Sequence, residues 1–355
     1  MSAECGVQNA ECEVSSFQIV RFQPVCDRRS GVTDLRRAEN RDSPRMQKAG
    51  VRRIFAICHL LFANLLLLFL SACAAPVTTA ALTKVETGVD PEAWVKVPAG
   101  EFVLGQHEKR GMIEQPYEIM VTDVTNAQYA RYLNAALTQG TARMQGDQVV
   151  GYYSGDVFHG HKHEKEIKAG DWLHVSLADP SLRLTFDGKT FGVKPGYENH
   201  PMTLVTWFGA KAYCEFYGGR LPSELEWEKA ARGTDNRPFP WGHEIKLNHA
   251  NAYASRDPFE RLIGKQGDTT PVGFYNGKSY DGYQTADGRS PYGLYDMAGN
   301  VWQWTADLQE GIHDRWLRGG SKDNYGYNLR IWEYNSARPD YASPSVGFRC
   351  ARVSK

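Results

Sequence analysis

Nineteen consecutive residues, Ile54 to Ala72, contain no Asp, Glu, Lys or Arg, and this run divides the chain in two. As a helix it would span about 28 Å at about 1.5 Å per residue, close to a bilayer core of about 30 Å. Arg52 and Arg53 precede it and small residues end it. A basic region, an apolar region and a small-residue end together describe an export signal. The alternative is an uncleaved signal anchor; either way, the chain beyond the run lies outside the cytoplasm. Residues 1–45 carry seven basic and seven acidic charges and no apolar periodicity. A signal normally begins near the N-terminus. Met46, eight residues before the run, is therefore the better start, and 1–45 reads as an extension upstream of it or a disordered tail.

The run ends Leu70-Ser71-Ala72-Cys73, which resembles a bacterial lipobox. The resemblance implies a lipoprotein signal peptide over 46–72, cleavage before Cys73 and lipidation of that cysteine. Ala74 rather than Asp follows it, which favours the outer membrane within the cell envelope. Residues 73–91 read as a tether.

Removing 1–72 leaves 31 Lys and Arg against 34 Asp and Glu, and all nine Trp. The remainder is weakly acidic, aromatic-rich and Gly-rich. No basic excess points to nucleic acid. Its length suffices to bury a sizeable core. Beyond Cys73 only Cys214 and Cys350 remain, 136 residues apart. Export permits a disulfide between them, which would close a long loop worth up to about 5 kcal/mol; two buried free thiols are the other reading.

From Trp94 onward the pattern is short strands, turns and a few helices. Val95–Val97 and Glu101–Leu104 flank a Pro-Ala-Gly turn. Thr125 caps a helix running to about Leu137, and Thr206 starts a second that stops at Gly218-Gly219. Ser223 and Glu226 form a capping box for a segment ending at Gly233. Residues 140–198 interrupt the pattern with strand-like pieces at 149–153, 173–175 and 182–186, and read as an insertion. Few helices amid much Gly-rich, aromatic chain argue for an α+β fold with long ordered loops.

Several ordered segments resemble one family: Val97-Pro98-Ala99-Gly100-Glu101-Phe102, Val124-Thr125-Asn126-Ala127-Gln128-Tyr129, and Gly219-Arg220-Leu221-Pro222-Ser223-Glu224-Leu225-Glu226-Trp227-Glu228. Further on come Phe239-Pro240-Trp241-Gly242, Tyr292-Gly293-Leu294-Tyr295-Asp296-Met297-Ala298-Gly299-Asn300-Val301-Trp302, Arg318-Gly319-Gly320-Ser321 and Gly347-Phe348-Arg349-Cys350. Residues 92–355 thereby resemble the formylglycine-generating enzyme, or sulfatase-modifying factor, family. The resemblance implies a variant of the C-type lectin fold, with a twisted antiparallel sheet and two helices. It also implies a structural disulfide between Cys214 and Cys350.

The family's oxidation of a sulfatase cysteine rests, by the same resemblance, on two cysteines that bind copper(I). Soft thiolates select that ion. Here Asn324 and Leu329 stand at those positions, and no Cys lies between Gly319 and Arg349. The expectation is that neither copper binding nor cysteine oxidation survives. Family calcium positions map to Asp296, Gly299, Val301 and Gln303, and a second set to Asn251 and Ala252 with Asp268 as a further match. All offer oxygen, so structural calcium is expected. His159, His161 and His163 at alternate positions are a candidate zinc or copper site, or a solvated loop. Asp307 and His313 have no evident nucleophile as partner.

The stretch that should hold the cysteines reads Lys322-Asp323-Asn324-Tyr325-Gly326-Tyr327-Asn328, followed by Glu333-Tyr334-Asn335-Ser336 and Asp340-Tyr341-Ala342-Ser343. Tyr, Asn and Ser suit adaptable binding surfaces. Ser321, Asn324, Tyr325, Tyr327 and Asn328 are expected to line a groove for a peptide, glycan or small molecule. Trp302 and Trp304, two apart, would share a strand face, with at least one in the core. The function expected is an exported lipoprotein that binds a ligand without oxidising cysteine. A cysteine-independent oxidoreductase or other modifying enzyme, a retroelement-diversified lectin-fold binder and a scaffold subunit are the alternatives.

Overall fold

The computed structural model describes residues 85–160, 164–259, 267–309 and 311–354, all within one compact unit, Thr78–Lys355. The lipobox, Cys73 and residues 1–72 lie outside the described residues, as do His161 and His163. No described helix is long and apolar enough to cross a membrane.

The chain begins β1 (Trp94–Val97), β2 (Gly100–Leu104), β3 (Lys109–Ile113), β4 (Tyr117–Met120) and helix α1 (Asn126–Gln139). Next come β5 (Ala142–Gln145), β6 (Gln148–Tyr153), β7 (Gly170–Ser176), β8 (Leu184–Phe186) and β9 (Phe191–Val193). Helices α2 (Trp207–Phe216) and α3 (Glu224–Arg232) follow, then β10 (Ser279–Tyr280) and β11 (Tyr283–Gln284). The last strands are β12 (Trp302–Leu308), β13 (Arg315–Arg318), β14 (Tyr334–Ala337), β15 (Val346–Gly347) and β16 (Ala351–Val353). The fold is α+β, with three α-helices among the described residues where the resemblance implied two; the third, α3, is short but fully capped.

Each helix starts where a side chain satisfies free backbone donors. Thr125 accepts from Gln128 N–H, and the Gln128 side chain accepts from Thr125 N–H at 2.8 Å. Ser223 and Glu226 reciprocate in the same way on α3. Thr206 caps α2 alone, through Gly209 N–H.

The strands form several small sheets rather than one. One sheet is ordered β1-β4-β16, so the C-terminal strand returns beside the first part of the chain. Although a turn joins β1 to β2, they do not pair; β1 pairs with β4 and β2 with β3. A four-stranded sheet runs β14-β13-β12-β15, antiparallel except for the β12–β15 pair. The strands β5-β6-β7 form a third sheet within 140–198. Its Val149 and Val175 enter the same core as Leu133, Phe208, Trp304 and Phe348. That segment is thus built into the main core rather than laid on it.

Two cores sit on either side of the β1-β4-β16 strands. In the first, Tyr129, Tyr132, Tyr213 and Phe348 contact one another ring to ring at 5.2–6.0 Å between centroids. Beside them the sulfurs of Cys214 on α2 and Cys350 before β16 are 1.99 Å apart, a bonded distance. In the second, the fully buried Trp227 of α3 packs with Ile119, Leu294 and Ile331. Trp302 and Trp304 are both buried on β12, and Trp304 N–H donates to the Val205 carbonyl at 3.2 Å.

Candidate functional site

The site begins at the end of β13, where a charged network fixes the turn after it. Arg318 donates to Glu228 on α3 and, at 2.9 Å, to the Ile331 carbonyl. Gly320 then adopts φ +72°, and a Cβ there would lie 2.7 Å from Leu329 and 2.8 Å from the Asn328 carbonyl. Only glycine meets both demands. The chain next folds on itself. Asn324 Oδ1 accepts from Ser321 N–H at 2.9 Å and from Ser321 Oγ at 2.8 Å, and Asn324 N–H donates to the Ser321 carbonyl at 3.0 Å.

This turn forms one wall of a groove of about 530 Å³. Small-molecule sites occupy about 300–1,000 Å³. Ser321, Asp323 and Asn324 face Asn335 and Ser336 of β14 and the segment from Tyr341 to Val346, over a floor of Trp302 and Leu317. Asp323 is the one charged residue among its described lining. Its carboxylate accepts from Lys322 Nζ at 2.9 Å and 3.1 Å and from the Ser345 hydroxyl, which pins the two walls together. The groove therefore offers hydroxyls, amides, an aromatic ring and a neutralised carboxylate.

Two of the five expected groove residues, Ser321 and Asn324, line it. Tyr325, Tyr327 and Asn328 do not, because the chain turns away into a 3-10 helix, Gly326–Leu329. Tyr325 is exposed and meets the Tyr253 ring at 4.7 Å, and Tyr327 is exposed beneath the Arg330 guanidinium at 4.6 Å. Their place is taken by Asn335, Ser336, Tyr341, Ser343 and Ser345. The sequence showed these residues as a Tyr/Asn/Ser-rich composition but gave no reason to choose them.

Residues 79–354 match the sulfatase-modifying factor enzyme 1-like domain. The chain belongs to that family. It is 29% identical over 301 residues to the formylglycine-generating enzyme of Mus musculus, covering 72% of this chain and 74% of the relative. It is 30% identical over 281 residues to the inactive C-alpha-formylglycine-generating enzyme 2 of Mus musculus, covering 74% and 86%. A solved structure, PvdO from Pseudomonas aeruginosa, aligns over 74% of this chain and 94% of its own, at TM-score 0.48 and 22% identity.

The two positions where the family implies copper ligands are here far from a metal site in character. Leu329 is fully buried in an apolar cluster with Phe239, Ala250 and Ala298. Asn324 spends its oxygen on Ser321. Neither supplies a soft donor.

Of the residues expected to hold calcium, Gln303 is committed elsewhere. Gln303 is fully buried, and its Oε1 accepts from Trp227 Nε1 at 2.7 Å and Arg349 Nε at 2.8 Å. Its amide donates to the Asp296 carbonyl at 2.7 Å. Both lone pairs of the oxygen are used and the orientation of the amide is fixed, so Gln303 has nothing to offer a cation. Asp296 accepts from Gly273 N–H at 2.7 Å, and burial pushes its carboxyl up to about 6. Gly299 and Val301 flank it, and a Cβ on Gly299 would lie 2.3 Å from the Asn251 carbonyl, which places the two expected sets side by side. In the second set, Asn251 Nδ2 donates to the Asp268 carbonyl at 2.9 Å, while the Asp268 carboxylate is paired with Arg183 at 2.9 Å. Ala252 lies beside it as a carbonyl only. Hydrogen bonds hold this loop.

Among the described residues no three His, Cys, Asp or Glu side chains converge as a metal site. His159 is on an exposed loop, where its N–H donates to Glu164. His313 Nδ1 lies 2.9 Å from Asp156, which also takes Arg315 at 2.6 Å. Asp307 accepts from the first N–H of α3. These groups are engaged structurally.

Arg349 joins everything around the site. It is fully buried, and its five N–H groups donate to Gln303, to the Met120, Val121 and Tyr295 carbonyls, and to Asp123 at 3.2 Å. Burial pushes the Asp123 carboxyl up to about 8 against the pull of this guanidinium. Arg349→Met should cost about 3–5 kcal/mol, because it strands buried acceptors. Chemical unfolding measures this, and a loss below about 1 kcal/mol would contradict the role.

Proposed function

We propose that this protein is an exported, lipid-anchored member of the sulfatase-modifying factor family that binds a ligand in its groove and does not oxidise cysteine. The observation that carries the reading is the occupancy of the two copper-ligand positions by a hydrogen-bonded Asn324 and a core-packed Leu329. The frame around them is intact, and with it a groove of about 530 Å³. The likeness to a relative described as inactive supports the same reading. The ligand is a peptide, glycan or small molecule, held by Asn324, Asn335 and the Ser343–Ser345 segment with the Tyr341 ring against it. A polar, Ser/Asn-rich wall recognises hydroxyls and amides, and the floor of Trp302 and Leu317 supplies apolar area.

The anchor follows from the apolar run and the lipobox-like end at Cys73. Lipidation there would anchor the domain in the bacterial cell envelope, facing the periplasm or the cell surface, with Ala74 favouring the outer membrane. The tether over 73–91 would hold the groove away from the bilayer.

Two experiments test the proposal. Loading the purified domain with copper(I), desalting it and measuring metal should find no stoichiometric copper; one copper per chain would overturn the loss of the site. In cells fed a labelled fatty acid, the wild-type protein should take up the label and Cys73→Ser should not. Equal labelling of that variant, or none of the wild type, would overturn the lipid anchor.

A further inference from the structure

A second, smaller cavity of about 150 Å³ borders the groove at Pro344, which lines both. It is below the about 300 Å³ at which small-molecule sites begin, which suits one small ion rather than a drug-sized molecule. Its chemistry differs from that of the groove. Its charged lining is Arg183, Lys322 and Asp268, and its hydroxyls include Ser181 and Thr203.

The donors and acceptors of this cavity are unequally used. The Asp268 carboxylate accepts from Arg183 Nη2 at 2.9 Å and 3.1 Å, from the Tyr197 hydroxyl at 2.7 Å and from Thr269 N–H at 2.9 Å. It has little capacity left. Arg183 by contrast uses only Nη2 in these bonds, so Nε and Nη1 keep their N–H groups without a partner among the described residues. Its guanidinium is held flat against the Tyr197 ring at 3.9 Å, which fixes the direction of those donors. Lys322, 6% exposed, donates only to Asp323 and has N–H groups to spare. Thr203 is a buried residue, and its hydroxyl makes no bond to the described residues. The lining is thus rich in preorganised donors and poor in free acceptors, its two cations being balanced by Asp268 within the lining and Asp323 beside it.

We propose that this cavity is an oxyanion site, taking a carboxylate or a tetrahedral anion such as phosphate. Arg183 supplies a planar fork that fits either anion, and Lys322 supplies a point charge. Thr203 completes the shell. The consecutive residues Lys322 and Asp323 separate the two cavities, so an acidic group seated here lies next to whatever the groove holds. The site stands on its own donors and does not require that the groove be occupied.

The test is calorimetric titration of the domain with inorganic phosphate at low ionic strength, with acetate as competitor. Saturable binding is expected. Each charge-assisted bond contributes about 1.5–3 kcal/mol, so Lys322→Met should weaken binding about tenfold or more. Thr203→Val, which keeps the charge, should weaken it by less. Arg110→Met removes the same charge from an exposed position and should leave affinity unchanged. Displacement of phosphate by acetate would identify a carboxylate as an accepted group; phosphate binding without displacement would identify a tetrahedral anion. No saturable binding, or equal losses in the Lys322→Met and Arg110→Met proteins, would overturn the site. Phosphate binding at the pocket together with failure of every groove ligand would leave the oxyanion site standing and remove the groove reading alone.

Discussion

One buried guanidinium organises this fold. Arg349 reaches into the space between β4, the 294–303 loop and the C-terminal strand, and every donor it has is used there. An arginine this deep is costly to desolvate and repays that cost only when fully hydrogen-bonded. The bonds to Met120 and Val121 hold β4, the bond to Tyr295 holds the loop, and the bond to Gln303 holds β12. The groove floor, Trp302, is the residue before Gln303. The Cys214–Cys350 link secures the next residue in the chain to α2. The same side chain also explains why calcium chemistry is not available at Gln303: its oxygen already serves a fixed organic cation and an indole.

In the proposed reading the frame is kept and the reaction centre replaced. At Leu329 an apolar side chain fills the space under Gly320, joining a cluster that supports the 3-10 turn. At Asn324 an amide ties the wall of the groove to its own turn. Both substitutions convert positions for reactive sulfur into positions that stabilise the loop. What remains open to solvent is a groove lined by Ser, Asn and Tyr side chains, with a polar cavity beside it.

Much of the architecture was legible in the sequence because it depends on local chemistry. The capping boxes at Thr125 and Ser223 fix helix starts through neighbours three residues away, and the Gly-Gly-Ser turn is dictated by one glycine's conformation. The pairing of β1 with β4 rather than β2 was not legible, since strand partners are chosen by the whole core. The groove shows the same limit. Ser321 and Asn324 belong to a turn that could be read locally. Tyr341, Ser343 and Ser345 arrive from a separate segment, and Tyr325 and Tyr327 are turned away by a short helix with no strong sequence signal. Calcium was expected from the family positions and the oxygens they keep; which donors the Gln303 oxygen meets depends on Trp227 and Arg349, 76 and 46 residues distant from it.

The most direct test of the account is to incubate residues 73–355 with copper(I), oxygen and a cysteine-containing peptide, and to follow the peptide by mass spectrometry. No aldehyde should form, and any thiol lost to copper-driven disulfide formation should be lost equally in a reaction without protein. Protein-dependent conversion of that cysteine to an aldehyde would contradict the account.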